Sequence, residues 1–409
     1  MTPDPSASAV ALPAPVAAHA VRARPDMRLL GLLALGHMVI DINQGSFPVI
    51  LPYLKDALNL SYAATGMIVL AANTTSSLIQ PLFGYLADRT ARRWILPVSV
   101  LLSAVGLGFL GLAPSYGAVL VLVMITGLGV ASYHPEGYRT ATAVAGDRRA
   151  TGVSIFSTGG NIGIALGPPL LTALLTTYGL SGSLGMLVPG LLVAALFTAA
   201  LPRLSAPAPA VARARARAAG AQTMVGAMAL LILVVAIRSW TQLGFTTFMP
   251  FYWTSVLHGD PRLTGTLLAV FLGSGAIGTL VVGPVADRIG VRRYVVGVFV
   301  LAIPLALGFL FVSGGPLVFV LLALLGFVLV STFTVSVVLG QSYLPKHPGM
   351  ASGLIVGFAI GAGGLGASVL GWVADHWGLT SALAISAVMP MLAFVVALFL
   401  PEPKTGDIG

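Results

Sequence analysis

Few of the 409 residues can carry chemistry, because only 8% are charged and none is cysteine. Thiolate nucleophiles, disulfides and Cys-based metal sites are excluded at the outset. The residues that remain stand out by context: Asp41 lies in an apolar run near 28–54, and Arg238 in another near 223–256. Ionisable groups inside apolar helices are costly and mark pathways for ions or substrates. A carboxyl can gain and lose a proton, whereas Arg keeps its own and offers a fork that suits a carboxylate or phosphonate. At ~1.5 Å per residue, Asp41 lies ~20 Å along its helix and Arg238 ~22 Å along its own. One acid and one base at mid-depth predict a proton site and an anion site, a pair that opens when substrate competes, or a permanent salt bridge.

Other polar residues surround these two. His37 precedes Asp41 by one turn and shares its face, which suits a proton relay or a packed, hydrogen-bonded imidazole. Gln44 and Gln242 lie a little further along the same two helices, and Asn73 and Asn161 reach mid-depth in two other runs. These amides predict either ligand orientation or interhelical hydrogen bonding. Elsewhere His134 and Glu136 flank Pro135, whose missing N–H predicts a kink. Arg139 follows Glu136 at i+3 and can pair with it, or with Asp88. Glu136 falls ~30 Å along its helix, close to one mouth. His134 and Glu136 are therefore expected at a gate or proton exit, or in local structure. No HExxH, phosphate-loop lysine or metal-ligand spacing occurs, so neither a metal site nor an enzyme is expected.

The elements that must position these groups are membrane helices. Hydrophobic residues make up 57% of the chain, and charged ones fall far below the roughly 25% of soluble domains. A bilayer takes up the surplus as lipid-facing side chains, and its core of about 30 Å needs about 20 apolar residues per helix. Spans 1–6 are predicted near 28–54, 62–87, 94–113, 116–141, 150–178 and 183–202. Spans 7–12 follow near 223–256, 262–287, 293–313, 316–343, 349–375 and 379–400. The expected fold is all-α integral membrane, with six-helix halves at 27–202 and 223–401 joined by a polar linker, 203–222. Residues 1–26 and 402–409 are expected as cytoplasmic tails. The first is expected to be disordered from its Ala and Pro content and lacks the pattern of a signal peptide.

Charge orients these spans. With the N-terminus in the cytoplasm, only Lys55 and Arg262 fall outside, while Arg139 and Arg238 fall within or near spans. The other 17 of the 21 Lys and Arg face the cytoplasm. The net charge of +9 then reads as positive-inside topology, and no nucleic-acid partner is expected. Small residues in span 5 (Gly159, Gly160, Gly163, Gly167) and span 11 (Gly353, Gly357, Gly361, Gly363, Gly364, Gly366), many at spacings of three and four, predict close helix approach and no ligand. Those two spans are expected to cross between the halves.

The halves repeat. Gly84-Tyr-Leu-Ala-Asp88-Arg89 recurs as Gly283-Pro-Val-Ala-Asp287-Arg288, 199 positions later, each followed by a basic pair, Arg92-Arg93 and Arg292-Arg293. Gln44, Phe47 and Pro52 match Gln242, Phe245 and Pro250 at an offset of 198. A weaker echo, Gly371-Trp-Val-Ala-Asp375, ends span 11. Such repeats flanking a midplane site are the architecture of a rocking transporter. The G-x-x-x-D-R loop resembles the signature of the major facilitator superfamily, departing in its first copy at Thr90-Ala91. The resemblance implies that Gly84, Asp88, Arg89 and Arg93, with Gly283, Asp287, Arg288 and Arg139, latch cytoplasmic helix ends. Asp88 is expected to serve a neighbouring helix's N-terminus, since an anion at its own C-terminus is unfavourable.

Within that superfamily, four stretches resemble the fosmidomycin-resistance family: Gly36-His37…Asp41…Gln44, His134-Pro135-Glu136, Gly160-Asn161-x-Gly163-x-x-x-Gly167-Pro168 and Arg238-Ser239-Trp240. The third also resembles the glycine-proline motif of drug:proton antiporters, with departures at Ser154 and at Leu171-Thr172. The resemblance implies a proton-driven exporter in a bacterial cytoplasmic membrane. Asp41, His37, His134 and Glu136 would couple protons, and Arg238, Gln44, Asn73, Asn161, Trp240 and Gln242 would bind substrate. No cofactor beyond the proton gradient is expected, the partners being a small-molecule substrate, protons and the bilayer, and the chain being monomeric. An uptake symporter for an organic anion is the alternative. A channel is disfavoured by the charged central pair and the lack of a pore-lining ring.

Overall fold

A computed structural model describes residues 25–89, 92–145, 149–204, 223–345 and 348–402. The expected tails and linker fall almost wholly outside the described residues, as do Thr90, Ala91 and the side chains of Gly84, Asp88, Arg89, Gly283 and Asp287.

Among the described residues all regular structure is helical. The N-terminal set comprises α1 (Met27–Ala57), α2 (Tyr62–Asn73), α3 (Gln80–Arg89), α4 (Ile95–Gly108), α5 (Tyr116–Val144), α6 (Arg149–Tyr178) and α7 (Leu187–Ala200). The C-terminal set comprises α8 (Val225–Ser255), α9 (Thr264–Ile289), α10 (Val291–Phe309), α11 (Pro316–Tyr343), α12 (Pro348–Gly353), α13 (Ile360–Trp377) and α14 (Leu379–Leu398). Helix starts are set by short polar side chains: Asp26 accepts from the Arg28 and Leu29 amides, and Ser61 and Ser115 accept from Ala64 and Ala118. Each relieves one or two of the first-turn N–H groups that have no carbonyl to bond. Pro48, Pro52, Pro135, Pro168, Pro169 and Pro250 sit inside helices, each removing a ladder bond.

Two π turns interrupt helices at matching places in the interface. Thr74–Leu78 joins α2 to α3, Leu354–Ala359 joins α12 to α13, and the two turns pack on each other. A π turn leaves the backbone ladder one residue out of step, and such turns gather at functional sites.

The apolar surplus faces outward. Phe311, Leu192 and Val188 are 87%, 62% and 58% exposed, an arrangement suited to lipid. Seven stretches among the described residues are long and apolar enough to cross a membrane, one of them (Ser154–Arg203) covering both α6 and α7.

The two sets repeat in contacts as well as in sequence. The Asp26 amide bonds the Val144 carbonyl at 3.0 Å, and the Met224 amide bonds the Tyr343 carbonyl at 2.8 Å. Arg93 donates to the Leu201 carbonyl at 3.1 Å, and Arg292 to the Leu400 carbonyl. The second pair lies 199 residues after the first. A cation on the last carbonyls of a helix satisfies unpaired acceptors and opposes the dipole. Arg93 thus binds a helix end within its own set, and Arg288 is exposed.

Span 5 and span 11 do not seek each other. Carbonyls of Ala34, Met38 and Ile42 on α1 lie where side chains at Gly159, Gly163 and Gly167 of α6 would stand, so that stripe packs inside the N-terminal set. The glycines of α13 meet α2 and α8. Small-residue spacing reveals that a helix has a close neighbour, not which one. The sets meet along α2 with α13 and α6 with α9. At one end of the first seam the Asp375 carboxylate accepts the Tyr62 and Ala63 amides at 2.6 and 2.7 Å. An acid on one set thus caps a helix start on the other.

Candidate functional site

Asp41 on α1 is buried, 9% exposed, and its charged neighbours are histidines. Nε2 of His37 lies 3.4 Å from Oδ2 of Asp41, and Nε2 of His134 lies 3.4 Å from Oδ1. Helix spacing places His37 one turn before Asp41. His134 arrives from α5, about 15 Å from that helix's C-terminal end at ~1.5 Å per residue, level with Asp41. α5 runs to Val144, past the predicted end of its span, and brings His134 to Asp41 inside the bundle.

The imidazoles are oriented by backbone. Nδ1 of His37 donates to the Phe156 carbonyl at 2.8 Å, and Nδ1 of His134 to the Val130 carbonyl at 2.9 Å, since a carbonyl only accepts. Phe156 also stacks on the His37 ring at 4.1 Å. Both Nε2 atoms are thus left facing the carboxyl, whose Oδ1 is buried and has no hydrogen-bond partner. When both rings are neutral, nitrogen lone pairs confront carboxyl oxygens. The donor atoms lie within 4.8 Å of one another, close enough for one small cation to bridge them. Gly160 of α6 makes the room, because a Cβ there would stand 2.6 Å from Asp41 Oδ2 and from the His37 ring. The sequence reading gives Gly160 a packing role only, whereas here it borders the charged cluster.

Glu136 is 1% exposed and forms a two-toothed ion pair with Arg139, one contact being Nε to Oε2 at 3.2 Å. Each of the two is thereby neutralised by the other on a single helix face. Of the two expected partners for Arg139, the described contact is Glu136.

Arg238 on α8 is 2% exposed. Nε donates to the Leu329 carbonyl at 3.1 Å and Nη2 to Oε1 of Gln242. Among the described residues it has no carboxylate partner. The Asp41–Arg238 bridge expected as one alternative is absent, because the two histidines hold Asp41 instead.

Between the sets lies an open cavity, the kind of concave space in which small-molecule sites form. Its walls include Gln44 and Phe47 of α1, Asn73 of α2, and Gln242 and Thr246 of α8. Three of the expected ligand residues are thus brought together. Arg238 stands behind Gln242. Trp240 turns away, its indole N–H on the Ala362 carbonyl at 3.0 Å and its ring over Gly366, so it packs α8 on α13. Asn161 does not line the cavity.

A two-set helical bundle with a cavity at the seam and buried titratable groups beside it is a membrane transporter, not an enzyme. The chain belongs to the Major Facilitator Superfamily, whose sequence pattern matches residues 33–366. It is 33% identical over 408 residues to the fosmidomycin resistance protein of Escherichia coli K12, covering 97% of this chain and 98% of that one. It is also 33% identical over 383 residues to the uncharacterized MFS-type transporter YfnC of Bacillus subtilis 168, covering 92% and 93%. In fold it is similar to the inward-facing, occupied structure of a bacterial homologue of the human lysosomal transporter Spinster. That match has a TM-score of 0.79 at 16% identity and covers 91% and 96% of the two chains.

Proposed function

We propose that this transporter is a proton-coupled exporter of small drug-like or anionic compounds, phosphonates among them, working by rocker-switch alternating access. In this reading α2–α3 and α12–α13, each joined through its π turn, count as single crossings. Twelve crossings then form two six-helix halves in a bacterial cytoplasmic membrane, with both termini inside. It works as a monomer, needs no bound cofactor and takes its energy from the proton gradient.

The observation that carries the reading is the pairing of two unlike sites across one seam. A carboxyl facing two imidazoles supplies a place for a proton. A buried guanidinium without a carboxylate supplies a place for an anion, since an uncompensated buried charge is costly. Proton binding near Asp41 changes the charge inside the N-terminal set, and substrate binding near Arg238 changes it in the C-terminal set. Each ligand can therefore bias the two-state equilibrium by its differential affinity for the two states. The similarity to a fosmidomycin resistance protein supports export and a phosphonate. The same groups would also serve a symporter taking up an organic anion.

The test is growth. A sensitised bacterial host expressing the chain is challenged with a panel including phosphonate antibiotics. Resistance that disappears with Asp41→Asn is expected. Heightened sensitivity on expression would indicate uptake and overturn export.

A further inference from the structure

Gln242 and Asn73 are both amides on the cavity wall, and each has one end already engaged. Arg238 has only donors, so the end of Gln242 that it holds is the carbonyl oxygen. The Gln242 –NH₂ is then the end left for the cavity. Asn73 is fixed the other way: its nitrogen donates to the Val69 carbonyl at 3.0 Å, and its oxygen is the end left. Neither orientation depends on telling nitrogen from oxygen in the side chain, because the partners allow only one choice. Apolar side chains, Phe47, Val123 and Leu243 among them, occupy the wall as well.

We propose that Gln242 is the residue that contacts the substrate's acidic group, and that Arg238 is a positioning residue that locks the Gln242 amide with its N–H groups toward the cavity. This rests on the anionic-substrate reading above and narrows it. The guanidinium contributes through its charge and by polarising the amide it holds. Asn73 supplies an acceptor, so the substrate class that fits has an acidic group at one end, a hydroxyl or N–H elsewhere and an apolar stem. A ligand lacking the acid leaves the Gln242 N–H groups without an acceptor in a partly dry site, which is the stronger source of discrimination.

The experiment measures binding of fosmidomycin and of its neutral phosphonate diester to the purified full-length protein in detergent, for the wild type and three variants. Gln242→Leu leaves Arg238 in place and removes only the donor. We expect it to weaken fosmidomycin binding by about ten- to a hundredfold, the range for a hydrogen bond to a charged group, with little change for the diester. Arg238→Met frees the amide to turn and should reduce the preference for the acid over the diester. Arg238→Lys, which still donates to the amide oxygen, should recover part of that preference, as a purely structural role would not require. If Gln242→Leu binds fosmidomycin as well as or better than the wild type, Arg238 reaches the ligand directly and the inference is wrong. If the wild type prefers the diester, shows no preference or binds neither, the anionic-substrate reading fails, and this inference with it.

Discussion

At the scale of residues, the central group is one carboxyl between two imidazoles whose orientations are set by the Phe156 and Val130 carbonyls. Asp41→Asn keeps the size and removes the titrating group, so proton-driven transport should fall to background while the protein remains in the membrane at normal abundance. Unchanged dependence of transport on external pH in that variant would show that protons enter elsewhere. Gly160→Ala is a separate probe of the same cluster. The added methyl would stand 2.6 Å from Asp41 Oδ2 and from the His37 ring, and neither side chain can yield far inside a packed bundle. It should reduce proton-driven transport at least tenfold, whereas Gly31→Ala, which meets nothing within 4 Å, should leave it unchanged. Transport assays at matched expression decide between these outcomes.

Among elements, the seam between α2 and α13 is pinned at one end by a single carboxylate. The Asp375 carboxylate receives two amides at the start of α2, where unpaired N–H groups and the helix dipole both favour an anion. The contact is exposed, so its worth is modest. Asp375→Asn should therefore shift the population of open states several-fold without abolishing transport. The chain contains no cysteine, so a single cysteine placed near Tyr62 would report that end's opening by its labelling rate. A rate that rises in Asp375→Asn fits a latch; an unchanged rate would make the contact a helix cap and nothing more. The sequence had marked Asp375 only as a weak motif echo. Its use depends on a contact across 313 residues, which no local pattern encodes. The same limit explains span 5 and span 11: glycine spacing announced a close approach, and only the fold assigned α1 and α2 as the partners. His134 was recognised as polar in an apolar run, yet its contact with Asp41 required knowing how far α5 continues.

For the molecule as a whole, composition and the repeated motif were enough to place the chain among membrane transporters, because lipid-facing apolar surface leaves its mark on every span. Which groups share a cavity was less legible. Gln44, Asn73 and Gln242 were singled out by depth alone and do line one space, whereas Trp240, at a similar depth, faces a neighbouring helix instead. Depth follows from counting residues; facing depends on helix rotation, which the nearly uniform apolar character of these helices conceals. In the proposed mechanism, protons moving one way drive an anionic compound the other way through this cavity. The most direct measurement uses purified protein in liposomes with an imposed pH gradient and radiolabelled fosmidomycin. Accumulation in acidic-lumen vesicles, collapsed by a protonophore and absent in Asp41→Asn, is the predicted result. Equal uptake with and without the gradient, or uptake that follows the proton inward from an acidic exterior, would contradict it.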